Sequence, residues 1–250
     1  VTTGDKIEKI LNNLKKNKLI DVVSNPEFLR EGDAIRDFTY PDRVIIGTDS
    51  KKANKTLKSL YMPIIKKSSR YFNTSRRGAE LIKYASNSFL ATKISFINEL
   101  ANLCEKTGVD IKDVSLGMGL DQRIGDRFLR AGPAYGGSCF PKDTRALIDI
   151  GNKFKTNLTI VKSVVASNNS RKTLLLERVK LILNNKLKNK KITFLGVTFK
   201  PNTDDMREAS SIPMISYLNK KKSKINYYDP SGEKVEFKNL KNVKFSKSIK

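Results

Sequence analysis

The chain has 250 residues, with 49 Lys and Arg against 25 Asp and Glu, and its formal net charge is +24. This length is enough for one large or two modest domains with a sizeable core. The sequence contains no histidine, which excludes Ser-His-Asp triads and His-ligated metals. We therefore expect no metal centre, and acid-base chemistry falls to Asp, Glu, Lys or Cys.

The positive charge is scattered along the chain, and its densest run, residues 184–191, is typical of a solvated turn. Basic residues do not alternate with aromatic ones as they do in RNA-binding motifs. We predict no nucleic-acid partner, and interpret the charge as compositional bias with some attraction for a small anionic substrate. The two cysteines imply no disulfide framework, and no stretch is long and apolar enough to span a bilayer. We expect a cytoplasmic protein with no membrane partner.

The first region, to about residue 73, alternates helices and strands. Such alternation is typical of a parallel α/β fold. The pattern predicts helices over residues 4–14 and 54–67, and strands over residues 20–23, 43–46 and 71–72.

The second region is helical and the third returns to the α/β pattern. Helices are predicted over residues 77–106, 111–116, 144–150 and 158–183, the first of which stops at Gly108. The third region has predicted strands over 191–195, 224–228 and 243–246, and a helix over 212–218. Its first strand leads to Gly196 and a polar loop, an arrangement typical of a nucleotide-binding crevice.

The run from Gly136 to Asp143 places a thiol at a predicted helix start. Two glycines allow close approach of the backbone to a ligand, and Pro141 suits the first helical turn. The helix N-terminus and Lys142 both favour the thiolate of Cys139, and Asp143 lies one turn on, where it could exchange a proton. The alternative is a buried structural cysteine before an ordinary helix. The flanking charges favour a nucleophile.

Two further groups of residues could carry chemistry. Glu27 and Glu31 follow a predicted strand, at the sheet edge where α/β proteins bind ligands. Lys83 and Asn87 are one turn apart on a helix and together could stabilise an oxyanion. Each group alone is more often an ordinary feature, the first a solvated loop and the second a surface pair.

With these residues in place, the sequence closely resembles the UDP-glucose 6-dehydrogenase family, within the nucleotide-sugar dehydrogenases that oxidise an alcohol to a carboxylate. The joint order and spacing of the motifs make the resemblance specific. They lie at residues 25–32, 42–47, 83–87, 121–125, 128–132, 136–143, 196–201 and 204–208.

The resemblance implies an α/β protein of three parts that uses NAD, binds UDP-glucose and forms a homodimer. The parts are the C-terminal portion of a Rossmann-like NAD domain at 1–73, a central helical dimerisation domain with long helices at 74–170, and a partial Rossmann-like UDP-sugar domain at 171–250. The Gly-rich dinucleotide fingerprint and the end of the UDP domain are not found in this sequence. We expect an internal fragment that by itself is inactive.

The resemblance also implies the catalytic roles. Cys139 matches the nucleophile that forms a thiohemiacetal and then a thioester. Asp143 and Lys83 match the pair that manages the proton and the oxyanion, and Asn87 adds a hydrogen bond. Glu27 matches the acid that activates the hydrolytic water.

Further residues match the ligand-binding positions of the family, and among them Arg123 is implied to reach the ligand of the neighbouring subunit. The implied substrate-binding residues are Phe28, Leu29, Arg123, Phe128, Leu129, Arg130, Ala131, Gly132, Tyr135, Gly136, Gly137, Phe199 and Lys200. The implied cofactor-binding residues are Glu31, Lys142 and Arg207.

Three alternatives remain open at this point. GDP-mannose or UDP-N-acetylmannosamine dehydrogenases share the same chemistry. A non-catalytic dimeric binding fragment would fit the missing ends, and a nucleic-acid binder would fit the charge alone.

Overall fold

The computed structural model describes residues 1–13, 20–65 and 70–249 and divides the chain into two compact units, Val1–Ser86 and Asn87–Lys250. The fold is α/β, with strands and helices alternating in both units. No helix in the described ranges has the length and apolar content needed to cross a membrane.

The first unit contains a two-stranded parallel sheet. Its elements are α1 (Thr3–Asn13), α2 (Ala34–Thr39), β1 (Arg43–Gly47), α3 (Lys51–Tyr61), β2 (Arg70–Thr74) and the start of α4 (Arg76–Thr107). Arg43 of β1 is opposite Arg70 of β2, and Gly47 is opposite Thr74. Strand β1 is buried from Val44 onward, as expected for a parallel strand. A Cβ on Gly47 would lie 2.5 Å from the Cβ of Ala79, so only glycine allows α4 to pack this closely.

The second unit begins with helices and ends with a three-stranded parallel sheet. Its elements after α4 are α5 (Ile111–Gly119), α6 (Phe140–Lys153), α7 (Thr159–Ile182), β3 (Lys191–Leu195), α8 (Ser211–Lys220), β4 (Lys224–Tyr228) and β5 (Val243–Phe245). The strand order is β3-β4-β5. Ile215, Leu218, Ile225 and Tyr227 are each at most 1 % exposed and form its core with Phe237. This apolar layer fixes the sheet edges that carry the polar loops described below.

The strand predicted over residues 20–23 is wrong. Only Ser24 pairs here, in an antiparallel bridge in which Ser24 and Gly47 exchange hydrogen bonds of 3.0 and 2.7 Å. Pro26 follows two residues later and has no N–H to extend such a ladder. The segment therefore crosses the end of β1 as a loop.

Two other boundaries also differ from the prediction. Helix α3 begins at Lys51 instead of residue 54, because the Ser50 hydroxyl accepts a hydrogen bond from Ala53 N and caps the first turn. It ends at Tyr61, two residues before Pro63; residues 66–67 of the predicted helix lie outside the described ranges. The short helix α2 was not predicted. The remaining predicted strands and helices are confirmed, with ends that shift by a few residues; residue 14, the predicted end of the first helix, lies outside the described ranges.

Candidate active site

Cys139 stands at the start of α6, as predicted from the Gly-Gly-Ser-Cys run. It is the N-cap residue, Pro141 lies in the first turn, and Asp143 N donates to Cys139 O at 2.9 Å. The helix begins at Phe140, four residues earlier than predicted, because proline needs no N–H partner at this position. The thiol is half-buried, and its sulfur lies 3.7 Å from Ser138 Oγ. A half-buried sulfur at a helix N-terminus suits a nucleophile better than a core thiol.

Asp143 makes a fully buried pair with Asn87. The aspartate is 0 % exposed, and Asn87 Nδ2 donates to its Oδ2 at 2.6 Å. Lys142 contacts the other oxygen from the surface, where 65 % of its side chain is exposed. The carboxylate is thus held by two donors within one turn of Cys139. Such a group can accept or return a proton without first shedding water.

The loop that leads to Cys139, which we call the cysteine loop, is hydrogen-bonded to buried polar side chains of α4 and α7. Asn168 accepts from Tyr135 N at 2.8 Å and donates to Tyr135 O at 3.0 Å. Arg171 donates to Gly132 O at 3.0 Å, and Asn98 accepts from Gly132 N at 2.8 Å. Burial lowers the pKa of Arg171 from its ordinary value, and nearby Arg178 lowers it further. The backbone from residue 132 to 135 is therefore fixed by side chains from two helices.

The two glycines before Cys139 are required by contacts with the loop between β3 and α8. Gly137 has a φ of 74°, and a Cβ there would lie 2.6 Å from the ring of Phe199. Its N–H donates to Arg207 O at 2.8 Å. A Cβ on Gly136 would lie 2.7 Å from Glu208 O. The loop that carries Phe199 and Arg207 is thus packed directly on the cysteine loop.

Glu208 anchors that loop by ion pairs. Its carboxylate accepts from Lys172 Nζ at 2.5 Å and from Arg145 Nη2 at 2.8 Å. These two hydrogen bonds, that from Lys172 first, hold the pKa of Glu208 below its ordinary value despite partial burial. Its φ of 56° is uncommon for a residue with a side chain. The cysteine loop, α6, α7 and the β3–α8 loop therefore form one connected structure.

In the first unit, Glu27 and Lys83 form a hydrogen-bonded ion pair. Lys83 Nζ donates to Glu27 Oε1 at 3.0 Å and also to the Glu27 carbonyl. Leu29 N donates to Oε2 at 2.7 Å, so both carboxylate oxygens are oriented. Glu27 is 57 % exposed and Lys83 is 16 % exposed. A carboxylate that is held in place and open to solvent could activate water.

Phe28 lies beside this pair between two cations. The Arg43 guanidinium stacks 4.0 Å from the ring centroid, and Lys83 Nζ is 5.2 Å away. Glu31 lies in the turn before α2, half-buried. Stacking on cations fixes the ring orientation of Phe28 at the base of the Glu27 loop.

The predicted ligand loop at residues 121–132 begins after α5. Arg123 is 89 % exposed and makes a bidentate pair with Asp121, while Lys93 Nζ donates to Ile124 O at 2.9 Å. Phe128 has a φ of 66°, and its ring meets Phe140 edge-on at 6.0 Å. Leu129 is buried, Ala131 is half-buried and Arg130 is exposed. The Phe128 ring contacts α6, whereas the Arg123 side chain is exposed to solvent.

The carboxyl edge of the last sheet has the predicted strand-glycine-loop form. Gly196 follows β3 with a φ of 81° and open space where a Cβ would lie. Asp229, at the end of β4, accepts from Val197 N at 2.9 Å. Burial raises the pKa of Asp229, but hydrogen bonds from Ser231 and Val197 outweigh it and the pKa lies below its ordinary value. Lys200 Nζ lies 5.5 Å from the Phe199 ring centroid. The Asp229 carboxylate thus holds the start of the loop that carries Phe199.

Three domain models of one protein family match this chain along most of its length. The NAD-binding domain matches residues 1–65, the central domain residues 77–170, and the UDP-binding domain residues 193–250. The chain belongs to the UDP-glucose/GDP-mannose dehydrogenase family. The resemblance inferred from the motifs is confirmed, as is the α/β fold with Rossmann-like parts.

Relatives in this family include two curated bacterial UDP-glucose 6-dehydrogenases. The protein of Rhizobium meliloti is 47 % identical over 93 % of this chain and 54 % of its own length. YwqF of Bacillus subtilis is 48 % identical over 92 % of this chain and 52 % of its own length. A solved structure of a UDP-glucose dehydrogenase from Pyrobaculum islandicum has a TM-score of 0.87 at 36 % identity, over 94 % of this chain and 54 % of that one. The chain spans about half the length of the relatives it matches.

Sequence reasoning missed the residues that hold the cysteine loop. Asn168, Arg171 and Glu208 were not singled out, although all three bond to this part of the protein. The sequence held a signal for the first two, because Asn168 and Arg171 are spaced i, i+3 within α7. Polar residues at buried helix positions need hydrogen-bond partners. Glu208 lies in the motif at residues 204–208 but was given no role, because its role depends on the path of a loop.

Proposed function

We propose that this chain serves the NAD-dependent oxidation of UDP-glucose to UDP-glucuronate, with Cys139 as nucleophile. The observation that carries the proposal is the half-buried Cys139 at the start of α6, one turn from the buried Asp143–Asn87 pair. The names of the Rhizobium and Bacillus relatives support the reaction.

Cys139 acts as the covalent catalyst. Its thiolate adds to the aldehyde carbon produced by the first oxidation and forms a thiohemiacetal, and the second oxidation leaves a thioester. The sulfur lies at the N-terminus of α6. A covalent intermediate divides a difficult oxidation of a hydrated aldehyde into two easier steps.

Asp143, Asn87 and Lys83 manage the proton and the oxyanion. The buried carboxylate of Asp143 accepts the proton as the substrate alkoxide develops, and the Asn87 amide keeps it oriented. The Lys83 ammonium stabilises negative charge on the reacting oxygen. General acid-base assistance of this kind contributes about 10²–10⁴-fold to turnover.

Glu27 activates the water that releases the product. Its carboxylate is oriented by Lys83 and by Leu29 N, and more than half of it is exposed. A water molecule can therefore reach it without a structural change, and removal of a proton from that water starts hydrolysis of the thioester.

We place the UDP-sugar on the loops around Cys139 and at the end of β3. Gly136, Gly137 and Phe199 form one packed surface, and Gly196 leaves open space at the sheet edge. The lysine at position 200 supplies a cation for the phosphates. The other residues assigned to this ligand are Phe28, Leu29, Arg123, Phe128, Leu129, Arg130, Ala131, Gly132 and Tyr135.

The residues assigned to NAD, namely Lys142, Arg207 and Glu31, carry groups that suit its pyrophosphate and hydroxyls. Lys142 is 65 % exposed and Arg207 is 64 % exposed, and the carbonyl of Arg207 bonds to Gly137 two residues before Cys139. Two exposed cations suit an anionic pyrophosphate. Glu31 offers an acceptor for a hydroxyl group. When bound, NAD supplies the hydride acceptor for both oxidations.

We further propose a homodimer built on α4. Phe89, Phe96 and Leu103 recur at seven-residue spacing and are 66, 49 and 56 % exposed. A stripe of large apolar side chains at this spacing is typical of a helix that packs against another helix. In light scattering, the protein should be dimeric, and Phe96→Glu should shift it to a monomer. Lys106→Glu at the end of the same helix is the control and should remain dimeric.

The substrate, location and domain division are parts of the same proposal. Glucose is favoured over N-acetylmannosamine, since the UDP-glucose dehydrogenase structure is 36 % identical and the Pyrococcus horikoshii UDP-D-ManNAc dehydrogenase 25 %. Two free cysteines support a cytoplasmic location. We keep the division at 1–73, 74–170 and 171–250.

Replacement of each cysteine in turn tests the assignment. In the whole protein, Cys139→Ala should abolish formation of UDP-glucuronate, because no other group can form the covalent intermediate. Binding of UDP-glucose, measured by calorimetry, should change less than about threefold, since its phosphates and uridine are held elsewhere. Cys104→Ala is the matched control: this thiol is buried on α4, and its loss should leave turnover unchanged. Full turnover by Cys139→Ala would refute the assignment.

A mass measurement identifies the intermediate directly. Glu27→Gln should form the thioester but hydrolyse it slowly, because the amide cannot accept a proton from water. Intact-mass spectrometry during turnover should then find a sugar-nucleotide adduct, located on Cys139 by peptide mapping. An adduct on Cys104, or none in a variant that has lost turnover, contradicts the proposed roles.

A further inference from the structure

Positive charge is concentrated at the amino end of the last sheet. Two segments meet there, residues 184–191, which lead into β3, and residues 219–224, which join the end of α8 to β4. We call their lysines the lysine cluster. Of these 14 residues, eight are lysine and none is Asp or Glu. All eight side chains are exposed. Among the described residues, no ion pair joins any of them to a carboxylate. The local charge density far exceeds that of the rest of the chain.

The backbone holds these charges together. Asn189 N donates to Lys222 O at 2.9 Å, and Lys224 N donates to Lys190 O at 2.8 Å. Ser223 Oγ, fully buried, donates to Leu187 O at 2.8 Å. Because the two segments are bonded to each other, the backbone positions of the lysines stay close together. A bound anion would offset the repulsion between their side chains.

Strand pairing adds to this repulsion. Lys191 of β3 lies directly opposite Lys224 of β4 in the parallel register. Like charges at opposed positions destabilise a sheet. Neutral residues there would keep the strands paired equally well, so the sheet itself does not explain the charge.

Three lysines of the cluster line an open concave site. A cavity of about 340 Å³ is lined by Asn185, Lys186, Leu187, Lys188 and Lys221. Ammonium groups on flexible stems bind phosphate oxygens as point charges. No aromatic ring lines the cavity, so it offers no platform for stacking a nucleobase. Its size and donors suit a compact anion with several negative charges.

The position of the cluster separates it from the proposed UDP-sugar site. Gly196 and Asp229 lie just after the carboxyl ends of β3 and β4, whereas the lysine cluster lies at and just before the first residues of both strands. We propose that the lysine cluster is a second anion site, which binds a small oligophosphate at this opposite edge of the sheet. Occupancy there would not compete with the nucleotide sugar.

Calorimetric titration with inorganic tripolyphosphate tests the proposal. The triple variant Lys186→Gln, Lys188→Gln, Lys221→Gln removes three cavity-lining charges and should weaken binding by about tenfold or more. The matched control, Lys51→Gln, Lys52→Gln, Lys55→Gln, removes three exposed lysines from α3 and should weaken it less than about twofold. UDP-glucose affinity should be unchanged in both. Equal losses in the two variants would show that net charge alone attracts the anion, and would overturn the proposal.

Two further ligands distinguish the source of the phosphate groups. Vesicles of phosphatidylcholine with a phosphoinositide, and a short DNA duplex, are titrated against the same variants. The proposal requires that tripolyphosphate binds and that it displaces either of the others from the protein. Cluster-dependent binding of vesicles or DNA without binding of tripolyphosphate would assign the surface to a macromolecule and overturn the small-anion site.

Discussion

Asp143 and Glu27, the two carboxylates of the proposed reaction, lie in opposite environments. Asp143 is 0 % exposed and bonded to a buried amide, whereas Glu27 is 57 % exposed and bonded to a lysine. The difference matches their proposed tasks. A group that takes a proton from the substrate benefits from a dry, fixed position, while a group that activates water must be reached by it. A buried carboxylate such as Asp143 needs more surrounding residues than an exposed one.

The loop before Cys139 shows how many elements contribute to the surroundings of Asp143. It is held by Asn168 and Arg171 of α7 and by contacts with Phe199 and Glu208 of the β3–α8 loop. The segment around Glu27 is held by exposed or partly buried groups, among them Lys83, Asn25 and Asp37. The comparison predicts that changes near Cys139 disturb stability, whereas changes near Glu27 disturb mainly turnover.

The largest effect is expected for Gly137→Ala. The methyl group would meet the Phe199 ring in a left-handed backbone conformation, and strain and overpacking together should lower the free energy of unfolding by about 4 kcal/mol. Denaturant unfolding measures this. Gly132→Ala is the control, since a Cβ there meets nothing within 4 Å and φ is not left-handed. Equal stability of the two variants would contradict the packed arrangement.

Asn168→Ala should come next. It leaves the buried N–H and C=O of Tyr135 without partners, which should lower the free energy of unfolding by about 3 kcal/mol. Alkylation of Cys139 by iodoacetamide should also change in rate, because its loop is no longer fixed. Asn169→Ala, on the exposed side of the same turn, should behave as the unchanged protein. An unchanged alkylation rate in Asn168→Ala would limit its role to folding.

A direct comparison of the two carboxylates should give a smaller difference. Asp143→Ala leaves Asn87 Nδ2 buried without an acceptor and should lower the free energy of unfolding by about 2 kcal/mol. Glu27→Ala breaks an exposed ion pair and should lower it by less than about 1 kcal/mol. In the whole protein, both variants should lose turnover. If Glu27→Ala lowers the free energy of unfolding more than Asp143→Ala does, the contrast between a buried and a solvent-exposed carboxylate is wrong.

The smallest effect concerns pH. Glu208 has a lowered pKa because Lys172 and Arg145 bond to it, so its contribution is fully present above the ordinary pKa of a glutamate and is lost as pH falls through the lowered value. Stability of the unchanged protein should therefore fall more steeply on acidification than that of Glu208→Gln. Glu236→Gln, an exposed glutamate, is the control and should keep the steep fall. Parallel curves for all three proteins would show that the ion pairs contribute nothing.

The sequence predicted the elements of this fold where local signals were strong. Strands β3 and β4 were predicted at their observed ends, and α4 ends at Thr107, directly before the predicted stop signal Gly108. Residues 20–23 have strand-like composition but form a loop, and the single bridge to the end of β1 is made by Ser24, which follows them. Such pairing depends on a distant segment and leaves no periodic pattern in the sequence.

The motifs also identified the chemical groups before any geometry was known. The thiol at a helix start, the carboxylate one turn later and the lysine-asparagine pair on α4 follow from spacing, since a helix fixes the relation of residues three or four apart. Only the tertiary structure decided what holds them. Asn87 meets Asp143 across 56 residues of sequence, and Asn168 reaches Tyr135 across 33. Contacts over such separations arise from the packing of whole helices, which local spacing does not encode.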